Sequence, residues 1–464
     1  GGGPRSIFLY NPISRQGHLD SYARLYARAL VELGHRVVLV SETDAGAPAQ
    51  LALLGQELAE RLRFVSFERA EAAIAPPAPL AEPSRAHLAA HARAALVWQA
   101  EGIPGLARRL VRVPLRLARA LLPAAFADAW QRLARRLAPN RGRPSFASML
   151  CRIAGAAKLT NLSPDLALIL YLDMMSEQRR DVGLLDDAAA APWAGILFHP
   201  RGGAAGERYF GAASARGAIF LVPSAVPDYA RRHPRLRFVV APDVADLELA
   251  PHPHPLAAAM RARAGGRRIV LVIGTIAPHK GIDTLLAVIG AADPARFFFA
   301  LVGAVHWQRF GAFGPELRAF YQAPPGNVLV HDGYVEDEAG YNSLIAASDI
   351  VYAVYRDFDS SSNSLTKAAG FARPILVASG TLMGRRVEEA GIGAAAPAGD
   401  VGAILAGLSG LADAAPGAFD FDRFSNRHSL AELKLVLAQA LGQWRAVPSA
   451  VASAGPSAGP SAGP

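Results

Sequence analysis

Short aliphatic and β-branched runs recur along this chain, each separated from the next by a helix-length amphipathic stretch. Ser6 to Tyr10 is the first, followed by Val37 to Val40, Arg63 to Phe67, Leu166 to Leu172, Ala194 to Phe198, Ala218 to Val222 and Leu236 to Val240. Unbroken apolar runs of this length predict strands buried on both faces of a parallel sheet. Between the first two, Leu25, Ala29 and Leu33 repeat at helical spacing, and Gly34 stands at the expected C-cap. The series restarts at Ile269 to Ile273 and continues through Arg296 to Val302, Val328 to Val330, Ile350 to Val354 and Ile375 to Ala378. Pro251-His-Pro-His-Pro255 separates the two series and marks a domain boundary. The pattern predicts an α/β chain of two doubly wound Rossmann-like domains facing a cleft, over residues 1–250 and 251–420. A last helix through Leu430, Leu433, Leu437 and Leu441, within 421–447, is expected to pack back toward the first domain. Residues 448–464, with Ser-Ala-Gly-Pro three times over, read as a disordered tail.

From about residue 70 to 160 the strand pattern lapses into Ala, Arg, Leu and Pro, which reads as a helical basic insertion in the first domain. Leu106, Leu110, Val113, Leu117 and Leu121 share one helical face, with Arg108, Arg109, Arg112, Arg116 and Arg119 opposite. Pro114 breaks or kinks that helix, and Phe126, Trp130, Leu133 and Leu137 form a second stripe. Composition changes the picture here. Ten arginines against the single acid Asp128 between Leu106 and Arg143 carry a local excess equal to the whole chain's +9. Two readings follow: helices packed on the domain with solvated arginines, or a face for an anionic membrane surface. Nucleic acid is not expected, because the stretch has no motif for base contact.

At 52% apolar and 19% charged over 464 residues, the chain is globular and too long for one core. No run of 18 apolar residues occurs, so a spanning helix is not expected. The opening Gly-Gly-Gly-Pro-Arg-Ser lacks the apolar core of a signal peptide. A single cysteine, Cys151, allows no internal disulfide and fits a reducing cytoplasm. The expected location is cytoplasmic, or peripheral on the inner face of the plasma membrane. Lysine is scarce: Lys158, Lys280, Lys367 and Lys434 are the only four.

The strand Ile269 to Ile273 runs into a turn bearing Gly274 and Thr275, and Lys280-Gly281 then opens a helical pattern with Ile282, Leu285, Leu286 and Ile289 on one face. A helix start offers unpaired N–H groups and a favourable dipole to an anion, and Lys280 adds a full charge. A structural turn with a solvated lysine is the plain alternative. A second turn, Asp357-Phe-Asp-Ser-Ser-Ser-Asn-Ser364, carries Asp359, Ser360, Ser361, Ser362, Asn363 and Ser364, with serines placed to cap the following helix and Lys367 one turn in. His199 ends the run Ile-Leu-Phe-His, at a strand's carboxyl end where α/β sheets bind ligands, with Arg201 beside it. Gly17 and His18 follow the first strand in the same way, and Gly17 permits close approach of a ligand.

These motifs resemble the GT-B glycosyltransferases, and in detail the retaining family-4 group. In that group the second domain opens with a strand, Gly-Arg and Lys-Gly; this chain has Gly274-Thr275 and Lys280-Gly281. The group's serine turn and Pro-(Asn/Asp)-x-x-Asp signature are matched by Val222-Pro-Ser224 and Pro242-Asp-Val-Ala-Asp246. Its Glu-x7-Glu appears as Asp359-x7-Lys367, followed by Ala368-Ala-Gly-Phe-Ala-Arg-Pro374. The similarity covers Ser6 to Leu441 apart from the insertion. It implies transfer of a sugar from a nucleotide-sugar donor to a glycan or lipid-linked acceptor with retention, in cell-surface polysaccharide or glycolipid synthesis, with no cofactor and no metal. It implies catalytic roles for Lys280 at the donor diphosphate, Asp359 at the donor sugar and His199 near the transferred group. It implies a nucleotide-sugar site of Gly17, Gly274, Thr275, Gly333, Tyr334, Ser360, Ser361, Ser362, Asn363, Ser364 and Lys367, with His18 and Arg201 orienting acceptor or donor. Thr275 stands where the group has an arginine, Asp359 is one methylene short, and Lys367 replaces the glutamate that relatives use for the ribose. Lys367 would then restore at the pocket the cation that Thr275 lacks. The alternative to an enzyme is a catalytically silent protein of the same fold that acts as a partner or scaffold.

Overall fold

The computed structural model describes residues 3–13, 18–74, 144–176, 182–186, 191–200, 207–335 and 337–447, apart from the side chains of residues 18 and 19. Seven parallel strands form the first sheet: β1 (Ser6–Tyr10), β2 (Arg36–Ser41), β3 (Leu62–Ser66), β4 (Leu166–Ile169), β5 (Trp193–Leu197), β6 (Ala215–Phe220) and β7 (Arg237–Val240). Their order across the sheet is β3-β2-β1-β4-β5-β6-β7. Six form the second: β8 (Arg268–Ile273), β9 (Phe297–Val302), β10 (Val328–His331), β11 (Ile350–Ala353), β12 (Ile375–Ala378) and β13 (Gly393–Ala396), in the order β10-β9-β8-β11-β12-β13 and again all parallel. In each sheet the order reverses once, between β1 and β4 and between β8 and β11. Crevices at such reversals are where open α/β sheets bind ligands.

The apolar runs are continuous because both faces of each sheet are covered. In β1, Ile7 and Leu9 enter one core while Phe8 and Tyr10 enter the other. In β8, Val270 and Val272 face away from Ile269, Leu271 and Ile273. Each such side chain contributes about 1.5–3 kcal/mol relative to exposure.

Two elements differ from the sequence pattern. The Leu166 to Leu172 run ends as a strand at Ile169; Tyr171 turns to φ 50° and Leu172–Met174 is a single 3-10 turn. That turn brings the Asp173 carboxylate to the Phe198 N–H at 3.2 Å. β13 gives no β-branched signal, since it is Gly-Ala-Ala-Ala. A Cβ at Gly393 would lie 2.0 Å from the Ile375 carbonyl, so β12 admits only glycine beside it.

Part of the alanine-rich stretch belongs to the first sheet's own layer. The Phe146–Thr160 helix, capped by Ser145 accepting the Ser148 N–H, buries Phe146, Met149, Ile153 and Ala156 in the core shared with β1, β2 and β4. It is the crossover between β3 and β4. The arginine-rich Leu106–Arg143 segment and residues 448–464 lie outside the described residues. Among the described residues no helix is long and apolar enough to cross a membrane.

The Leu430–Arg445 helix joins the first sheet's core through Leu433, Leu437, Ala440, Leu441 and Trp444. Arg5 donates to the Leu441 carbonyl at 3.0 Å, Trp444 Nε1 to the Arg237 carbonyl at 3.0 Å, and Lys434 pairs with Glu32 at 2.8 Å. The connection after β7 is clamped from both sides. Asp243 is buried and accepts from the Tyr22 hydroxyl of the first sheet's layer and the Ser361 hydroxyl of the second's. Asp246 pairs with Arg24, while its carbonyl takes Lys367 Nζ at 2.8 Å and Asn342 Nδ2 at 3.0 Å.

Candidate functional site

The loops that leave β8 and β11 meet around one ammonium group. Lys280 is 6% exposed, and its Nζ donates to the Ile273 carbonyl at 2.6 Å and the Tyr355 hydroxyl at 3.2 Å. No carboxylate lies within ion-pair distance of it among the described residues, so a buried full charge faces only dipoles. Such an arrangement is costly unless an anion completes it. Gly274 makes the approach possible. It adopts φ 86°, and a Cβ there would stand 3.4 Å from the Tyr341 hydroxyl and 3.6 Å from Lys280 Nζ. Thr275 beside it is half-buried.

Two helices begin at this pocket without a side-chain cap. The Ile282–Ala291 helix starts from Gly281, at φ 64°, and the Asn363–Gly370 helix from Ser362; neither N-cap residue accepts a capping bond through a side chain. The serines were expected to cap the second helix. Ser362 holds the N-cap position but makes no capping bond, and its side chain, like that of Ser364, neighbours the Tyr355 phenol. The first N–H groups of both helices therefore remain available to an anion. Tyr355 is buried, yet its phenol is held below the usual tyrosine range; burial pushes it up, and Lys280 with the serine hydrogen bonds outweighs that. Arg356 adds a second cation at the pocket, 2.6 Å from Asp283 and bonded to Thr284 at the start of the Ile282–Ala291 helix.

Around this pocket the cleft is basic and aromatic. His279 is pushed down to about 4 by burial, then by Lys280, Arg309, His199 and His306. Phe358 lies between His279 and His199, with ring centroids 6.1 Å apart in both pairs. His199 follows β5 of the first sheet, so this contact spans the cleft. Behind it, Asp173 is buried and its carboxyl raised, chiefly by desolvation; the charge of His199 and the N–H groups of Phe198 and His199 pull the other way.

The rest of the serine loop serves the seam between the sheets. The Ser361 hydroxyl bonds Asp243 and accepts from Arg386 Nη1 at 2.5 Å, while Arg386 Nη2 reaches the Leu221 carbonyl at 2.9 Å. Asn363 Nδ2 donates to the Tyr22 hydroxyl at 3.3 Å. Ser360 is half-buried. Asp359 is 61% exposed and takes the Leu382 N–H at 2.6 Å, with Arg385 3.4 Å away. Lys367 turns inward: it is fully buried, bonded to the Asp246 carbonyl and Asn342, and 2.6 Å from Glu338 Oε1. Gly333 packs on the His331 ring, and Tyr334 is 45% exposed, its phenol pushed up to about 12 by the burial of the remainder and by Glu338 and Asp20. Gly17, Arg201 and the side chain of His18 lie outside the described residues. Among the described residues no group of three or more His, Cys, Asp and Glu could hold a metal ion.

No family model and no curated protein matches the chain. Solved structures do. The sucrose-phosphate synthase of Thermosynechococcus elongatus superposes with a TM-score of 0.57 at 16% identity, over 96% of this chain and 100% of that one. A glycosyltransferase of Rickettsia africae gives 0.55 at 12% identity over 96% and 98%. HepE of Anabaena, solved in complex with UDP and glucose, gives 0.55 at 12% identity over 94% and 99%. The chain has the GT-B fold. At these identities the likeness carries architecture alone, and the chemistry of the GT-B cleft rests on the residues above.

Sequence reasoning missed five of those residues. Asp173 was visible as the lone acid inside an apolar run ending at the sheet reversal. Tyr355 and Arg356 directly follow β11 and could have been marked by the same rule. His279 stood inside the turn between Gly274 and Gly281. Glu338 carried no signal of its own, because its role depends on the helix facing it.

Proposed function

We propose that this GT-B protein is a glycosyltransferase that moves a sugar from a nucleotide-sugar donor to a glycan or lipid-linked acceptor, with retention, in cell-surface polysaccharide or glycolipid synthesis. The observation that carries the reading is Lys280, buried without a carboxylate between two uncapped helix starts. Cleaving the anomeric C–O bond leaves negative charge on a diphosphate. A buried ammonium and fixed N–H dipoles stabilise that charge more than they stabilise the neutral bond before it breaks. Arg356 extends the cationic wall. His199 and Asp173 lie on the opposite side of the cleft, where the acceptor hydroxyl would enter; Asp173, bonded to the Phe198 N–H, fixes the backbone that carries His199. The departing diphosphate oxygen, on the face the acceptor attacks, would receive the acceptor's proton in a retaining transfer. The complex of HepE with UDP and glucose supports the ligand class by analogy.

Calorimetric titration of UDP, GDP, ADP, CDP and dTDP on native protein and Lys280→Met tests this. We expect one diphosphate to bind and the variant to lose about 100-fold, some 2.7 kcal/mol, as for a hydrogen bond to a charged group. Absence of binding by every diphosphate would overturn the reading. A second reading, a silent GT-B partner protein, is favoured by Lys367, whose ammonium is spent inward where a further pocket cation was expected. Diphosphate binding without sugar transfer from any matching donor would select it.

A further inference from the structure

The Lys280 pocket continues along the cleft as a chain of contacts. Tyr341 has its hydroxyl beside Gly274 and interacts with Ser364, which also neighbours the Tyr355 phenol that Lys280 holds. Tyr341 sits in the first turn of the Glu338–Ala347 helix, three residues from Glu338, so the two side chains share a face with a rise of about 4.5 Å between them. The Lys367 ammonium lies over the Tyr341 ring at 5.5 Å and against Glu338 Oε1 at 2.6 Å. Beyond Glu338 comes the loop of Gly333 and the exposed Tyr334, whose phenol Glu338 helps to raise. The Glu338 side chain is 11% exposed, so part of its carboxylate reaches solvent on the side away from the lysine. Phosphate pocket, carboxylate and exposed aromatic thus follow one another in the order of phosphate, ribose and base in a nucleotide.

The two members of the ion pair are not equivalent. Lys367 has no exposed surface and spends its donors on the Asp246 carbonyl, Asn342 and Glu338. Glu338 retains 11% exposure; its Oε1 is buried on the lysine, and no described residue donates to Oε2. The exposed side of the pair therefore offers acceptor lone pairs and no donor. An oxygen with two lone pairs, on a carboxylate fixed by a buried cation, suits two hydroxyls on adjacent carbons.

We propose that Glu338, held by Lys367, binds the 2′- and 3′-hydroxyls of the donor nucleotide's ribose. Lys367 acts as a positioning residue, and its contact with nucleotide passes through the carboxylate. The inference rests on the nucleotide-sugar reading and deepens it.

The test compares UDP, GDP and ADP with their 2′,3′-dideoxy counterparts by calorimetry on native protein, Glu338→Gln and the double variant Glu338→Gln/Lys367→Met. The double variant removes the buried charge together with its counter-ion, which guards against loss of folding in the single one. In native protein the dideoxy form is expected to bind about tenfold or more weaker. Both variants should bind ribo and dideoxy forms alike while keeping Lys280-dependent affinity. Equal binding of the two forms by native protein would overturn the inference without any variant, as would undiminished discrimination in either folded variant. Failure of every ribonucleotide to bind would instead remove the nucleotide reading on which it stands, and the inference with it.

Discussion

Lys280 and Lys367 are two of only four lysines in the chain, both buried in the same half of the molecule, and they are built in opposite ways. Lys367 has a carboxylate at 2.6 Å and two further acceptors. Its pKa is lowered mainly by burial, with Glu338 holding it up. Lys280 has a carbonyl and a phenol and, among the described residues, no counter-ion. The Lys367 charge is neutralised within the protein, whereas the Lys280 charge at a sheet reversal meets only dipoles among the described residues. Burial of a scarce cation does not separate the two cases; the inventory of its acceptors does.

Stability measurements give the largest expected contrast. Lys367→Met leaves Glu338 with no counter-ion and should cost about 3–5 kcal/mol, the usual penalty for breaking a buried pair. Glu338→Gln/Lys367→Met should recover most of that loss. Lys280→Met loses two hydrogen bonds but also an uncompensated charge, and its stability should stay within about 1 kcal/mol of native. Urea midpoints for the three variants decide this, and a Lys280→Met loss as large as that of Lys367→Met would erase the distinction.

A smaller effect tests whether the seam is also satisfied within the protein. Asp243 is buried and accepts hydroxyls from both halves, Tyr22 on one side and Ser361 on the other. Asp243→Asn keeps the shape but replaces one acceptor oxygen by a donor against a hydroxyl, costing about 1.5–3 kcal/mol by thermal unfolding. Ser361→Ala, which spares Tyr22, should cost less. A larger loss for Ser361→Ala would assign the seam's stability to Arg386 and not to Asp243.

Periodicity made both sheets legible, since parallel strands covered on two faces must be continuous apolar runs. The same rule could not see β13, whose alanines and glycine are chosen for close approach to β12, nor the Phe146–Thr160 crossover helix inside an alanine- and arginine-rich stretch. Lys280, His199 and the serine loop were legible as types at positions, because strand ends and helix starts can be read locally. Their partners could not be. Asp243 meets Ser361 across 118 residues and Lys367 meets Asn342 across 25, and no local pattern records either contact. That is why Lys367 read as a pocket cation, when its acceptors lie on a helix and a linker elsewhere in the chain.

The smallest effect concerns acid. His279 and His428 are each pushed down to about 4, in both cases first by burial and next by a neighbouring cation, Lys280 for one and Arg386 for the other. Unfolded, both would titrate near 6.5, so between about 6.5 and 4 the unfolded chain binds more protons than the folded one. Stability must therefore fall as pH drops through that window, and each histidine contributes to the fall. His428 is the more enclosed, stacked on Phe424 at 4.1 Å with Nδ1 3.1 Å from the Asp243 carbonyl. His279 is half-buried, and solvent screens part of its share. Urea midpoints at pH 7.5, 5.5 and 4.5 should drop less for His428→Gln than for native protein, and only slightly less for His279→Gln. Saturating diphosphate adds the contrast that matters. Anionic charge at the pocket cancels the cations that depress His279 and leaves His428 untouched, so the His279 share alone should shrink. Equal shrinkage of both would mean that acid sensitivity is a property of the seam, and the pocket around Lys280 would have no electrostatic signature of its own.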